Sequence, residues 1–340
     1  MIDFRYHLVS IIAVFLALTV GIVLGTTMLQ DPLLDTLRDE TAELRGQTED
    51  LRAERDMADR VNAGADRLAD AAAEDLLADR LQGLGVVLVQ APGADTDTVA
   101  SLGERVEEAG GSVTGRIEVR ADLVDPGNTA FVDELALQVS TAPSSLEGMS
   151  GHEKAGTEVA RALAQRPGRG PDGEEEGSEG PEYDPAAALE TFAEGGLISV
   201  HGEPAGGADA LVVVAPSTAG QAGGGSPQAE NTVLAAFTSA LHPLVEGLVL
   251  AGDVPSSRGE GLLARVRREQ AGFATVDMAG RPMGDIVAVL ALAEDIGGDG
   301  GAYGVGEGVR GFMPDPLPEP RAPGSPPGID EARRAAGKGE

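Results

Sequence analysis

The chain has 340 residues, with 56 Asp and Glu against 25 Lys and Arg for a formal charge of −31, 3% aromatics and no cysteine. So acidic and aromatic-poor a chain offers neither phosphate neutralisation nor stacking platforms, which excludes nucleic acid as a partner. Without cysteine there are no disulfides, thiolate metal sites or thiol nucleophiles, and at roughly 100–200 residues per domain the length suits one or two domains.

Residues 1–30 read as a single transmembrane anchor. Leu8 to Gln30 is 23 residues without a charge, about 34 Å as a helix against a bilayer core of about 30 Å. A cleaved signal peptide would carry an apolar core of only about 7–15 residues and an A-x-A-like site, and Gly25-Thr26-Thr27-Met28-Leu29 offers none. Arg5 and His7 precede the span, whereas Asp31, Asp35, Asp39 and Glu40 crowd its far side. Counting basic residues, this predicts a cytoplasmic N-terminus with the bulk of the chain extracytoplasmic. Ala13, Ala17, Gly21 and Gly25 recur every four residues, a row of small side chains along which another helix backbone approaches closely.

Residues 31–82 predict a helical, coiled-coil-like stalk. Leu33, Leu37, Leu44 and Leu51 step by four, seven and seven, which is half of a heptad seam. The other half is polar, with Thr41, Thr48 and Arg55 in the intervening positions, and Val61, Leu68, Leu76 and Leu81 carry the helical period onward. Leu37, Leu44 and Leu51, joined to the small-residue face of the anchor, call for a partner helix running in the same direction and hence a homo-oligomer, a dimer or higher. A long helix packed on its own domain is the rival reading.

From Gly83 to Met313 the pattern becomes α/β. Short apolar runs occur at 85–89, 113–119, 197–200, 210–215, 246–251 and 272–277. Between and after them helices are expected near 97–108, 129–140, 153–165, 186–194, 230–241, 259–269 and 284–295. Continuously apolar strands alternating with helices predict a doubly wound, mostly parallel sheet covered on both faces. Residues 166–185 hold seven acidic residues in twenty positions, and residues 314–340 hold seven prolines. Neither stretch carries enough apolar surface to offset its ordering entropy, so a disordered acidic insertion and a disordered Pro-rich tail are expected.

Ligands of such sheets sit beyond the carboxyl ends of the strands, where Asp95, Ser217, Thr218 and Asp253 are positioned to converge, although all four are also ordinary cap and turn residues. Gly306-x-Gly308-x-x-Gly311 has the glycine spacing of a dinucleotide loop without the strand-to-helix context. No GxxxxGK[ST], GxSxG or HExxH occurs, and His7, His152, His201 and His242 are too scattered for a zinc triad. No catalytic residue and no cofactor is assigned, and no enzyme is expected. Met149 with His152, three apart, and Met278 with Met283, five apart, are the soft-ligand spacings, and thioether plus imidazole is a combination that suits copper(I). Both compete with the ordinary role of methionine as core filler. The acidic run Glu174–Glu176 could hold cations loosely.

The opening Phe4-Arg5-Tyr6-His7-Leu8-Val9-Ser10, leading into Ala13-Val14-Phe15-Leu16-Ala17-Leu18 and Gly21-Ile22-Val23-Leu24-Gly25, resembles the actinobacterial copper transporter family. So does the order of parts, ending in a Val-, Ala- and Leu-rich helix (286–293) and the glycine run Gly300-Gly301-Ala302-Tyr303-Gly304-Val305-Gly306. The resemblance covers about residues 1–313. It implies an envelope protein of copper efflux and homeostasis, with copper as the transported ion, described as pore-forming in an outer membrane. It transfers no ligand residue. The residues read by themselves imply a bitopic envelope scaffold or interaction protein, since one helix cannot enclose water and no series of alternating ten-residue segments suggests a barrel.

Overall fold

The computed structural model describes residues 3–165, 183–217 and 226–322, the side chains of residue 3 and residues 26–38 excepted. The chain divides into two compact units, Met1–Gly64 and Ala65–Glu340, and one helix, α1 (Asp3–Leu77), contributes to both. In the first unit Phe4–Gly25 is long and apolar enough to cross a membrane, and none of it is buried. Leu44, Leu51 and Val61 stand exposed along the same helix. Leu37 lies in the stretch whose side chains are outside the described residues.

In the second unit the last turns of α1 become part of a core. Ala73 and Leu77 are buried, and Ala69 and Leu76 pack against the same cluster. A turn at 78–83 then leads into β1 (Gly85–Gln90), α2 (Thr96–Glu108) and β2 (Ser112–Val119). A helical stretch follows, comprising α3 (Ala121–Val124), α4 (Thr129–Val139), α5 (Gly151–Ala164) and α6 (Pro185–Glu194). The chain returns through β3 (Ile198–Gly202), β4 (Ala210–Val214), α7 (Pro227–Leu241) and β5 (Gly247–Ala251). It finishes with α8 (Leu262–Glu269), β6 (Ala274–Val276), α9 (Pro282–Ile296) and β7 (Ala302–Tyr303).

The strands form one sheet in the order β3-β2-β1-β4-β5-β6-β7. Every residue of β1, β4 and β5 is buried, so both faces of the centre of the sheet are covered, as continuously apolar strands require. The sheet is nevertheless mixed: β3 runs antiparallel to β2, while every other pairing is parallel. The residues explain the exception. Only the start of β3 is buried, and His201 and Gly202 are exposed, the pattern of an edge strand that escapes the double coverage parallel strands need. β7 is a further difference, because its two residues are too few to register as an apolar run.

The expected disordered segments lie only partly outside the description. Residues 166–182 and 323–340 are not described. Within the described part of the insertion, Tyr183 is buried, and Asp184 caps α6 by accepting from Ala186 N at 3.0 Å and Ala187 N at 3.1 Å. Beyond Met313, Leu317 packs on the core and Arg321 N donates to Asp79 O at 2.8 Å.

Candidate functional site

The strand order turns back between β1 and β4, and the loops that follow these strands come together. Gly93 turns the first loop with φ +79, where a Cβ would lie 3.8 Å from Pro216 Cβ, and a side chain on Gly252 would collide with Ser256, Leu263 and Ala215. Gln90 at the end of β1 donates to Ala94 O at 3.1 Å and to Thr96 Oγ1 at 3.3 Å, which shapes the first loop. Ser217 donates its hydroxyl proton to Asp253 Oδ2, so two of the four expected residues meet. Thr218 lies outside the described residues.

The carboxylates of this cleft are already committed. Asp253 Oδ1 accepts from Ser256 N at 3.1 Å to cap the turn at 254–257. Asp95 Oδ2 accepts from the Thr98 hydroxyl at 2.9 Å and the Thr98 amide at 3.0 Å, and these bonds hold its carboxyl below the usual value. A serine bonded to a carboxylate that also caps a turn lacks the imidazole base that activates such hydroxyls. The arrangement is a connector between loops.

The glycine string near the C-terminus has a different use. Asp277, at the end of β6, is completely buried, and Val305 N and Gly306 N donate to its two carboxylate oxygens at 2.8 and 3.0 Å. Any side chain on Gly304 or Gly306 would collide with that carboxylate. Arg267 closes the knot, donating to Asp277 Oδ2 at 2.7 Å, Thr275 Oγ1 at 3.0 Å and Tyr303 O at 3.0 Å. The glycines thus wrap a buried side chain of this chain, and the short β7 leads into them.

Met149 and His152 flank Ser150, whose capping box with Glu153 starts α5: Ser150 N donates to Glu153 Oε2 at 2.7 Å and Glu153 N to Ser150 Oγ at 3.4 Å. The two side chains part there. Met149 is partly exposed, its sulfur accepting from Thr157 Oγ1 at 3.8 Å, while His152 is buried. Burial pulls the His152 imidazole below its usual pKa. His201 pairs with Glu118 at 3.8 Å and His242 with Asp295 at 3.3 Å, on separate elements. Met278 packs on the core, and among the described residues no group of three His, Asp or Glu could hold a metal ion. Glu174–Glu176 lie outside the described residues.

Besides Asp277, the acids Glu158, Glu230, Asp285 and Asp295 are buried without having been legible in the sequence. Glu158 on α5 is fully buried beside Arg161 at 3.3 Å, and burial raises its pKa. Asp295 accepts from Leu248 N at 2.8 Å and Ala274 N at 3.0 Å, tying the starts of β5 and β6 together. Asp285, in the first turn of α9, accepts from Gly280 N at 2.8 Å. Nearby, the last turns of α1 are clamped by Asp66–Arg281 at 2.7 Å and by Asp70–Arg105, with Arg105 also holding Glu108 at 2.7 Å. The only sequence signal for these acids is a carboxylate inside an otherwise apolar run.

Residues 1–314 match the family described as copper transport outer membrane protein, MctB. Copper transporter MctB of Mycobacterium tuberculosis is 30% identical over 328 residues, covering 91% of this chain and 98% of that protein. The protein of the same name from Mycobacterium leprae is 31% identical over 326 residues, with the same two coverages.

Proposed function

The chain belongs to the MctB family of copper transport outer membrane proteins, and we propose from that premise that it serves copper efflux at the cell envelope as a membrane-anchored protein. The observation that carries the reading is the extent of the match, which runs from the apolar helix through the α/β unit to residue 314. Phe4–Gly25 is the anchor. The basic residues before it and the acidic ones after it favour a cytoplasmic N-terminus with the α/β domain outside.

Copper is cargo in this reading. One helix encloses no water, so a conduit requires several chains. The row Ala13, Ala17, Gly21, Gly25 and the stalk leucines Leu37, Leu44 and Leu51 supply the contacts for a parallel coiled coil. Met149 and His152 give copper a thioether and an imidazole, but one already accepts a hydrogen bond and the other is buried. Binding of either copper oxidation state by the full chain is therefore on the order of micromolar or poorer. Calorimetry would reveal a tight site and, with Met149→Ala or His152→Ala, its location.

The second reading is a bitopic envelope scaffold, and the presence of one apolar span among the described residues favours it. Deleting the gene and measuring copper content and copper sensitivity separates the two. Efflux predicts more cell copper and poorer growth, restored by the full chain but not by a chain lacking residues 1–30. Unchanged copper content would leave the scaffold reading.

A further inference from the structure

Among the described residues the strand β3 ends the sheet and pairs only with β2. Arg120 N donates to Leu197 O at 2.9 Å and Glu203 N to Thr114 O at 3.2 Å, with Glu118 opposite Ser199 and Arg116 opposite His201. Hydrogen-bonded pairs alternate along an antiparallel ladder. Ser199 and His201 therefore turn their N–H and C=O groups toward β2, and Ile198, Val200 and Gly202 turn theirs away. Among the described residues these outward groups have no partner. No residue of Ile198–Gly202 is a lysine or a proline, the usual means by which an exposed edge is blunted.

Beside this edge lies a cavity of about 600 Å³ between α6 and the chain at 200–205, with Leu189, Val200 and Pro204 among its apolar lining. Its charged lining residues are Asp184, Glu190 and Glu203, with no cation among them. Asp184 is committed to capping α6, whereas Glu190 and Glu203 are exposed. Side chains alternate between faces along a strand. Gly202, with φ +78, bends the chain at the end of the strand, so a strand added beyond β3 would continue the face of Val200, which lines the cavity, and send every second side chain toward it.

We infer that the β3 edge is a docking site for an extended, lysine- or arginine-bearing segment of a partner protein, taken up by strand addition. The main-chain groups of Val200 and Gly202 supply hydrogen bonds, the cavity holds alternate side chains, and Glu190 and Glu203 select for positive charge. This is the recognition mode of open sheet edges.

A labelled nonapeptide of alternating lysine and valine is the probe, titrated into the full chain in detergent and followed by fluorescence anisotropy. Saturable one-to-one binding is expected. Val200→Pro removes an outward N–H and leaves the β2 ladder intact, so it should weaken binding at least about tenfold. Glu190→Gln with Glu203→Gln, both on exposed side chains, should weaken it several-fold and flatten its salt dependence. An alternating glutamate–valine peptide should not bind. The inference is overturned if the lysine peptide does not bind. Equal binding by folded Val200→Pro, or by the glutamate variant, would overturn it by showing charge attraction alone. Binding that emerges only after deletion of residues 166–181 would do the same, since the chain's own segment would then hold the edge.

Discussion

The guanidinium of Arg267 donates to the carboxylate of Asp277 at 2.7 Å, with the two side chains 6% and 0% exposed. This ion pair joins α8 to the end of β6 and is enclosed by the glycine loop that follows β7. Removing one partner of a buried pair strands the other charge out of water, which costs about 3–5 kcal/mol. Arg267→Met and Asp277→Asn should each lose stability of that order, and the double variant should lose less than the sum. Denaturant unfolding of the full chain in detergent measures all three. Strict additivity would show that the two residues do not act as a pair.

Asp285 is 2% exposed beneath the clamp between α1, α2 and α9. Burial pushes its carboxyl up to about 6 from the usual 3.8, with Asp70 adding to the rise and Gly280, Ser101 and Arg105 opposing it. A carboxyl with a raised folded-state pKa holds its proton more tightly when folded. Its stabilising contribution is complete below about pH 4 and is lost as the pH rises through about 6. Asp285→Asn still accepts from Gly280 and has no charge to bury. It should flatten this part of the stability–pH curve and gain up to about 3 kcal/mol at neutral pH, given about 1.4 kcal/mol per pKa unit. Unfolding at stepped pH measures this, and an unchanged slope would remove Asp285 as the titrating group.

Two helical glycines should respond in opposite directions. A Cβ on Gly156 of α5 would stand 2.5 Å from Phe237 O and 2.9 Å from Ala240 Cβ, whereas one on Gly64 of α1 would have nothing within 4 Å. Gly156→Val forces α5 and α7 apart and should cost about 1–3 kcal/mol. Gly64→Ala should stabilise α1 by roughly 0.5–1 kcal/mol. Thermal melts followed by circular dichroism read both changes, and a tolerated valine at 156 would show that the helix contact yields easily.

Association through α1 can be tested without knowing what the protein transports. A methyl group added at Gly21 or Gly25 would meet nothing within 4 Å, and Leu44 and Leu51 are 63% and 65% exposed. Gly21→Leu adds bulk where helices would meet and Leu44→Asp puts a charge in the seam. Together they should convert a detergent-stable dimer to monomer by light scattering. A wild-type chain that is already monomeric would refute the coiled-coil proposal.

Much of the fold is legible in the sequence because its signals are local. The run Val86–Val89 and the ALVVVA stretch at 210–215 announce strands buried on both faces, and the helix expected near 153–165 is α5, although its capping box at Ser150 and Glu153 went unread. The site is less legible. Ser217 and Asp253 converge as their positions at strand ends predict, but only the three-dimensional placement shows that their hydrogen bonds serve turns and connectors. Met149 and His152, three apart, point to different surroundings because the capping box turns the chain between them.

Charge balance, the uncharged span and the alternation of apolar runs with helices were decided by the sequence alone. Each depends on the transfer free energy of neighbouring side chains and needs no knowledge of distant ones. The antiparallel course of β3, the enclosure of Asp277 by Arg267 and the glycine loop, and the burial of Glu158, Asp285 and Asp295 were decided by the tertiary structure. A strand's direction depends on where the preceding helices deliver it. Likewise, whether a carboxylate is solvated or buried depends on which remote element closes over it.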